Sequence, residues 1–207
     1  MGRNKVQGLQ RVRRINLRSP YRHGYLRQCR RWTLYSVRRS LKGLVGQLHL
    51  ENVFPAWTIE ARYELVAVHD LDEKLSGLKI VHLSDLHCGA FMSEKSLRCI
   101  LNAAWAEHPD IVAFTGDFVE FHPDEINEFV ALLNGMPRPH LGIFGVLGNH
   151  DFMHGSQDII QEKLTRAGVH VLRNESVCLE RNGAGIWITG IDDHWHGRAD
   201  LDRKSVV

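Results

Sequence analysis

The spacing of apolar residues changes several times along the chain, and each change marks a boundary. From Met1 to Arg31 the sequence is dense in Arg, Gly and Gln with few apolar residues. That is too little apolar surface to offset ordering entropy, so residues 1–31 are expected to form a mobile basic arm. Between Trp32 and Leu50, residues Leu34, Val37, Leu41, Leu44, Val45 and Leu48 recur at helical spacing, with Arg38, Arg39 and Lys42 elsewhere on the wheel. This predicts a basic amphipathic helix, which with its linker occupies residues 32–54. After Pro55 strand and helix patterns alternate, so an organised domain over residues 55–207 is expected.

Within that domain Thr58–Val68 alternates loosely between polar and apolar residues, as an edge strand does. Lys79–Ser84 reads as a short apolar strand, and Ser93 precedes a helical stripe of Leu97, Ile100, Leu101, Ala104 and Trp105. Ile111–Thr115 is the next strand, followed by a helix that opens at Pro123, Asp124 and Glu125 and closes near Gly135. Leu141–Leu147 is a third strand, and the helix after it starts near Ser156, turns Ile159, Ile160 and Leu164 inward and stops at Gly168. Strand-like segments come next at His170–Leu172, Val177–Leu179 and Gly185–Ile191. Such alternation implies the α/β class, with a mostly parallel sheet faced by helices.

Composition narrows the field only moderately. A chain of 207 residues with 43% hydrophobic and 24% charged residues suits one soluble α/β domain, and neither wholesale disorder nor a membrane bundle. The net charge of +2 conceals an asymmetry. Residues 1–50 hold 13 of the 26 Lys and Arg and no Asp or Glu, whereas residues 51–207 carry all 24 acids and a net charge of −11. An acidic domain of this kind is what cation binding would show.

The four cysteines, Cys29, Cys88, Cys99 and Cys178, form no C-x-x-C pair, so a reducing compartment is the simpler reading. No apolar run is long enough to span a bilayer, and the residues after Arg30-Arg31 are too charged for an export signal. A cytoplasmic location is therefore expected. The basic stretch 32–50 has two readings: packing on its own domain, or peripheral contact with an anionic inner-membrane surface. Nothing organised for base reading accompanies the arm, which argues against nucleic acid.

Candidate chemistry sits where each strand gives way to its loop, the edge at which open α/β sheets place ligands. The first cluster is Ser84-Asp85-Leu86-His87, where residues two apart in an extended segment point the same way and can grip one cation. The second is Thr115-Gly116-Asp117, with a carboxylate able to bridge two ions. The third, Gly148-Asn149-His150-Asp151, offers an amide oxygen and an imidazole. Carboxylate, imidazole and amide donors without thiolate suit Mn²⁺, Fe or Zn²⁺. Two such ions polarise a phosphoryl oxygen and activate water near neutral pH. No G-x-G-x-x-G comes after a strand, and neither a G-x-x-x-x-G-K-[ST] loop nor a G-x-S-x-G elbow occurs, so dinucleotide, P-loop and α/β-hydrolase readings fall.

In order and spacing, Asp85-Leu86-His87, Gly116-Asp117 and Gly148-Asn149-His150-Asp151 resemble the D-x-H, G-D and G-N-H-D blocks of the calcineurin-like metallophosphoesterases. The resemblance covers roughly residues 60–195 and is greatest to a bacterial phosphodiesterase subgroup. It implies a layered α/β/β/α sandwich, two divalent ions and a phosphoester substrate, with diesters preferred. It further implies that Asp85 and His87 hold the first ion, Asp117 bridges both, Asn149 holds the second, and His150 acts as the acid.

The family pattern continues with later histidines, including a G-H-x-H block, which the sequence up to Val207 does not contain. The expectation is thus a C-terminally truncated member with an incomplete second half. The alternative is a catalytically silent fragment that binds a membrane surface or a partner through its basic region. His194 and His196 are expected to be loop residues near the site. His82 is read as packed or half exposed, Cys88 as a small apolar filler and Trp105 as core.

Overall fold

The computed structural model describes residues 9–18, 58–89 and 92–200. Its strands are β1 (Leu9–Arg18), β2 (Thr58–Ala67), β3 (Lys79–Leu83), β4 (Ile111–Thr115), β5 (Gly142–Val146), β6 (His170–Val171), β7 (Glu175–Arg181) and β8 (Ala184–Gly190). The helices are α1 (Glu94–Trp105), α2 (Asn127–Asn134) and α3 (Gln157–Arg166), with a 3₁₀ turn at Pro123–Ile126 leading into α2.

Six strands form one sheet in the order β2-β1-β3-β4-β5-β6, and β7 and β8 form a separate antiparallel pair. From β1 to β6 each neighbour runs parallel, while β2 runs antiparallel to β1 and occupies the edge, as the loose alternation of its residues predicts. The architecture is α/β with a parallel sheet flanked by helices, as expected.

One segment departs from expectation. Leu9–Arg18, inside the stretch read as a mobile arm, pairs along its whole length with β2, from Leu9 opposite Ala67 to Arg18 opposite Thr58. It also pairs with β3, from Arg11 opposite Lys79 to Ile15 opposite Leu83. A strand needs backbone partners on its flanks more than apolar composition, and the open edges of β2 and β3 supply them. The helix expected at residues 32–50 lies outside the described residues, as does the arm beyond β1.

Period-two alternation in the strands splits the core into two layers. Val81 and Leu83 of β3, Val112 and Phe114 of β4 and Ile143 of β5 face the helices, meeting Leu97, Ile100, Leu101, Phe129, Ile160 and Leu164. On the opposite face Ile80, Ile111, Phe144 and Val146 meet Val177, Leu179, Ile186 and Ile188 of the β7–β8 hairpin. Ser93 caps α1, its hydroxyl accepting the Ser96 N–H at 3.1 Å, and Trp105 closes that helix by donating its indole N–H to the Pro137 carbonyl at 2.6 Å. In α3, Ile160 and Leu164 are fully buried as expected, but Ile159 is exposed. Ile159 stands about 100° round the helix from Ile160, on the side away from Leu164, and so falls outside the buried stripe.

Candidate metal centre

The loops that leave β3, β4 and β5 lie side by side at the carboxyl edge of the sheet, stitched by backbone hydrogen bonds. The Asp85 N–H donates to the Gly116 carbonyl at 3.1 Å, the His87 N–H to the Asp117 carbonyl at 2.9 Å, and the Cys88 N–H to the Phe118 carbonyl at 2.7 Å. The loops meet with Asp85, His87 and Asp117 all left-handed, at φ of 57°, 43° and 53°. Such backbone is uncommon for non-glycine residues and persists where surrounding contacts fix it. Asp85 and His87 therefore share a site because the loop turns, and not through the period of an extended strand.

Two glycines let the second and third loops touch. Gly116 has φ of 89°, and a Cβ there would strike the backbone of Gly148, while a Cβ on Gly148 would strike the Asp117 carboxylate. Asp151 holds the two loops in register. Fully buried, it accepts the Phe118 N–H at 2.9 Å and the Val119 N–H at 3.2 Å on Oδ1, and the Gly148 N–H at 2.9 Å on Oδ2. Burial pushes its carboxyl up to about 7 with help from the charge of Asp117, against the pull of those three N–H groups.

The donor groups converge between these loops. His87 Nε2 lies 3.7 Å from Asp117 Oδ2 and 3.9 Å from Asp85 Oδ1. The ligand atoms of His87, Asp117 and His150 all fall within 4.8 Å of one another. The rings of His87 and His150 meet edge to face with centroids 4.8 Å apart. The Asp117 side chain is only 13% exposed and that of Asp85 is 61% exposed, so the cluster opens to solvent on the Asp85 side.

Donors held this far apart do not satisfy one another by hydrogen bonding, yet they are close enough to share a cation. Nitrogen and oxygen atoms without thiolate form a set that a divalent ion fits. Burial alone would lower the His87 imidazole, but the carboxylates of Glu120, Asp117 and Asp85 outweigh it and leave the pKa raised.

Glu120 is the residue that sequence reasoning missed. Its side chain is 3% exposed, and Oε2 approaches His87 Nδ1 at 3.0 Å. Its backbone carbonyl accepts from His150 Nδ1 at 2.8 Å. The only signal in the sequence is an acid between Val119 and Phe121, three places beyond Asp117, where flanking apolar residues imply a buried loop.

Of the other expected site residues, Asn149 is part-buried in the same loop, between Gly148 and His150, whose N–H groups are held by Asp151 and Asp117. His194 and His196 lie in the loop after β8, as expected. His196 Nδ1 is 3.4 Å from Asp193 Oδ1, and neither histidine joins the ligand group among the described residues. Cys88 is fully buried and burial drives its thiol pKa upward, so it is filler and not a nucleophile. His82 is packed against the Thr115 hydroxyl at 2.6 Å.

A parallel α/β sheet that gathers carboxylates and imidazoles at its carboxyl edge is an arrangement suited to holding a divalent cation. The chain belongs to the calcineurin-like phosphoesterase family, whose family model matches residues 78–198. It is 35% identical over 116 residues to an uncharacterized metallophosphoesterase of Aquifex aeolicus, covering 56% of this chain and 42% of that protein.

A transmembrane protein with metallophosphoesterase domain from Bos taurus is 30% identical over 156 residues, 72% of this chain and 34% of its own length. A UDP-2,3-diacylglucosamine pyrophosphatase of Chlamydia muridarum is 34% identical over 100 residues, 44% of this chain and 30% of that protein. The chain spans less than half the length of the curated relatives it matches. Similarity extends to vertebrates and is not confined to the bacterial subgroup. Among the described residues no helix is long and apolar enough to cross a membrane.

Proposed function

We propose that this chain hydrolyses phosphoesters with two divalent ions, Mn²⁺, Fe or Zn²⁺, held at this cluster, and that it prefers diesters. Asp85 and His87 would hold the first ion, Asp117 would bridge, and Asn149 would hold the second. When bound, the ions supply Lewis acidity and an activated water near neutral pH.

The observation that carries this reading is the division of labour at Asp117. Its Oδ1 accepts the His150 N–H at 2.9 Å, while Oδ2 faces His87 Nε2 at 3.7 Å. One oxygen thus orders the third loop, and the other is left for a cation. His150, fixed through its Nδ1–H on the Glu120 carbonyl, would act as the acid in its doubly protonated form, delivering the Nε2 proton to the leaving oxygen.

The pyrophosphatase relative suggests a diphosphate bridge as a second bond to offer the enzyme. The basic stretch 32–50 would bring such a site to an anionic lipid surface.

The test is Mn²⁺-dependent hydrolysis of bis(p-nitrophenyl) phosphate by the 207-residue chain, alongside metal stoichiometry. About two ions per chain with turnover supports the reading. Less than one ion and no turnover would overturn it in favour of a silent member that acts only by binding.

A further inference from the structure

We propose that Trp195 is a stacking platform for the base of a nucleotide-bearing substrate, presented beside the proposed metal centre by the loop that leaves β8. This names a substrate class for the phosphoesterase reading above and rests on it.

The ends of the loop place it. Gly190, which closes β8, packs against the end of β5, where a Cβ on it would strike Leu172 and Val146. Both strands therefore release their loops at one edge of the sheet, and the β5 loop carries Asn149 and His150. Arg173 ties the two loops together. Its guanidinium donates to Asp192 Oδ1 at 3.0 Å and stands 5.4 Å from the ring centroid of Phe152, two residues beyond His150. Trp195 follows Asp192 by three residues, a reach of at most about 11 Å.

The tip of the loop is fixed although it is exposed. Asp193 Oδ1 accepts the N–H of Trp195 at 3.0 Å and that of His196 at 2.7 Å, and the Asp193 carbonyl accepts the Gly197 N–H at 3.0 Å. At the base of the loop Asn174 Oδ1 accepts the N–H groups of Asp192 and Asp200, each at 3.1 Å, while its Nδ2 donates to the Arg198 carbonyl at 2.6 Å. The indole itself is 83% exposed, more than any other large apolar side chain among the described residues. An aromatic ring held out on a turn that is already ordered meets a planar partner at little further cost in backbone entropy, and stacking is what its open face offers.

The recess beside the loop favours a nucleotide over an acyl chain. A cavity of about 620 Å³ is lined mostly by polar side chains, among them Gln161, Glu175, Asp192, Arg198 and Asp200. Such a lining hydrogen-bonds the hydroxyls of a sugar and gives hydrocarbon nothing to bury against. A base on Trp195, a ribose at the recess and a phosphoester toward the metal centre are the parts of one nucleotide.

The experiment is calorimetric titration of the full chain with uridine monophosphate, adenosine monophosphate and ribose phosphate, with and without Mn²⁺. Wild type should bind both nucleotides about 5–150-fold more tightly than ribose phosphate, the worth of one stacked base. Trp195→Phe should keep part of that preference and Trp195→Ala should lose it. The Ala variant removes no buried contact and keeps the N–H that Asp193 accepts, so it tests the ring and not the fold.

A wild type that fails to favour the nucleotides over ribose phosphate would overturn the proposal, as would an Ala variant with undiminished preference. So would flotation with phosphatidylglycerol vesicles that depends on Trp195 and comes with no preference for a base, since the indole would then be a lipid anchor. Absence of Mn²⁺-dependent turnover sinks the phosphoesterase reading instead, and a base preference retained in that chain leaves Trp195 as a nucleotide-binding residue.

Discussion

The Oδ1 atom of Asp117 accepts the backbone N–H of His150 at 2.9 Å, so the residue proposed to bridge the ions also shapes the loop that carries the proposed acid. Two substitutions separate these duties. Asp117→Asn keeps a carbonyl oxygen for the N–H but loses the charge, and should cut hydrolysis by at least about 10²-fold with little change in melting temperature. Asp117→Ala removes both and should also lower stability by about 1–3 kcal/mol, because a half-buried N–H is left unpaired. Parallel assays and urea denaturation distinguish the two. Equal activity in wild type and the Asn variant would remove Asp117 from the chemistry.

Gly148 has no side chain because the Asp117 carboxylate and backbone occupy that space. Gly148→Ala should push the third loop away from the second, breaking the Gly148 N–H bond to Asp151 Oδ2 at 2.9 Å. Fully buried Asp151 then loses one of its three donors, and the fold should weaken by about 1–3 kcal/mol. Metal affinity should fall in the same variant. Calorimetry showing wild-type affinity in Gly148→Ala would mean that the loop approach does not govern the site.

The core beneath the loops rests on three aromatic rings. Phe129 packs against Phe114 with centroids 5.3 Å apart and against Phe118 at 5.8 Å, and it is fully buried. Phe129→Ala should cost about 3–5 kcal/mol, through lost burial and the cavity left behind. Phe118 is next to Asp117 in the chain, so the variant should also loosen the site and weaken metal binding. Urea denaturation reads the first effect and metal titration the second.

The strands β3, β4 and β5 and the helix stripe of α1 were legible because their apolar residues bury on one or two faces with a clear period. The three motif blocks were legible because each sits at a strand end, and the topology gathers strand ends. Three features were not. β1 is rich in Arg, and its place in the sheet comes from backbone pairing with β2 and β3, which residue type does not encode. The left-handed turns at Asp85, His87 and Asp117 accompany contacts between loops distant in sequence. Glu120 shows in the sequence only as an acid between two apolar residues, and its partner His87 comes from a loop distant in the chain.

Metal addition gives the most direct reading of the centre as a whole. Asp85 and Asp117 lie within 4 Å of His87 Nε2, and Glu120 and Asp151 stand close behind with buried side chains, so in the metal-free fold negative charge is crowded into one place. A cation bound only by the native state stabilises it by about 2.7 kcal/mol at a hundred times its dissociation constant. For a chain of this size each kcal/mol raises the melting temperature by about 2–4 °C. Saturating Mn²⁺ should therefore raise it by about 5–10 °C, and a chelator should reverse the gain. The Asp117→Asn variant should show at most a small fraction of that shift. A wild-type melting temperature indifferent to Mn²⁺, Zn²⁺ and Fe²⁺ would mean that the cluster holds no ion in this chain. An equal shift in the Asn variant would place the ion elsewhere.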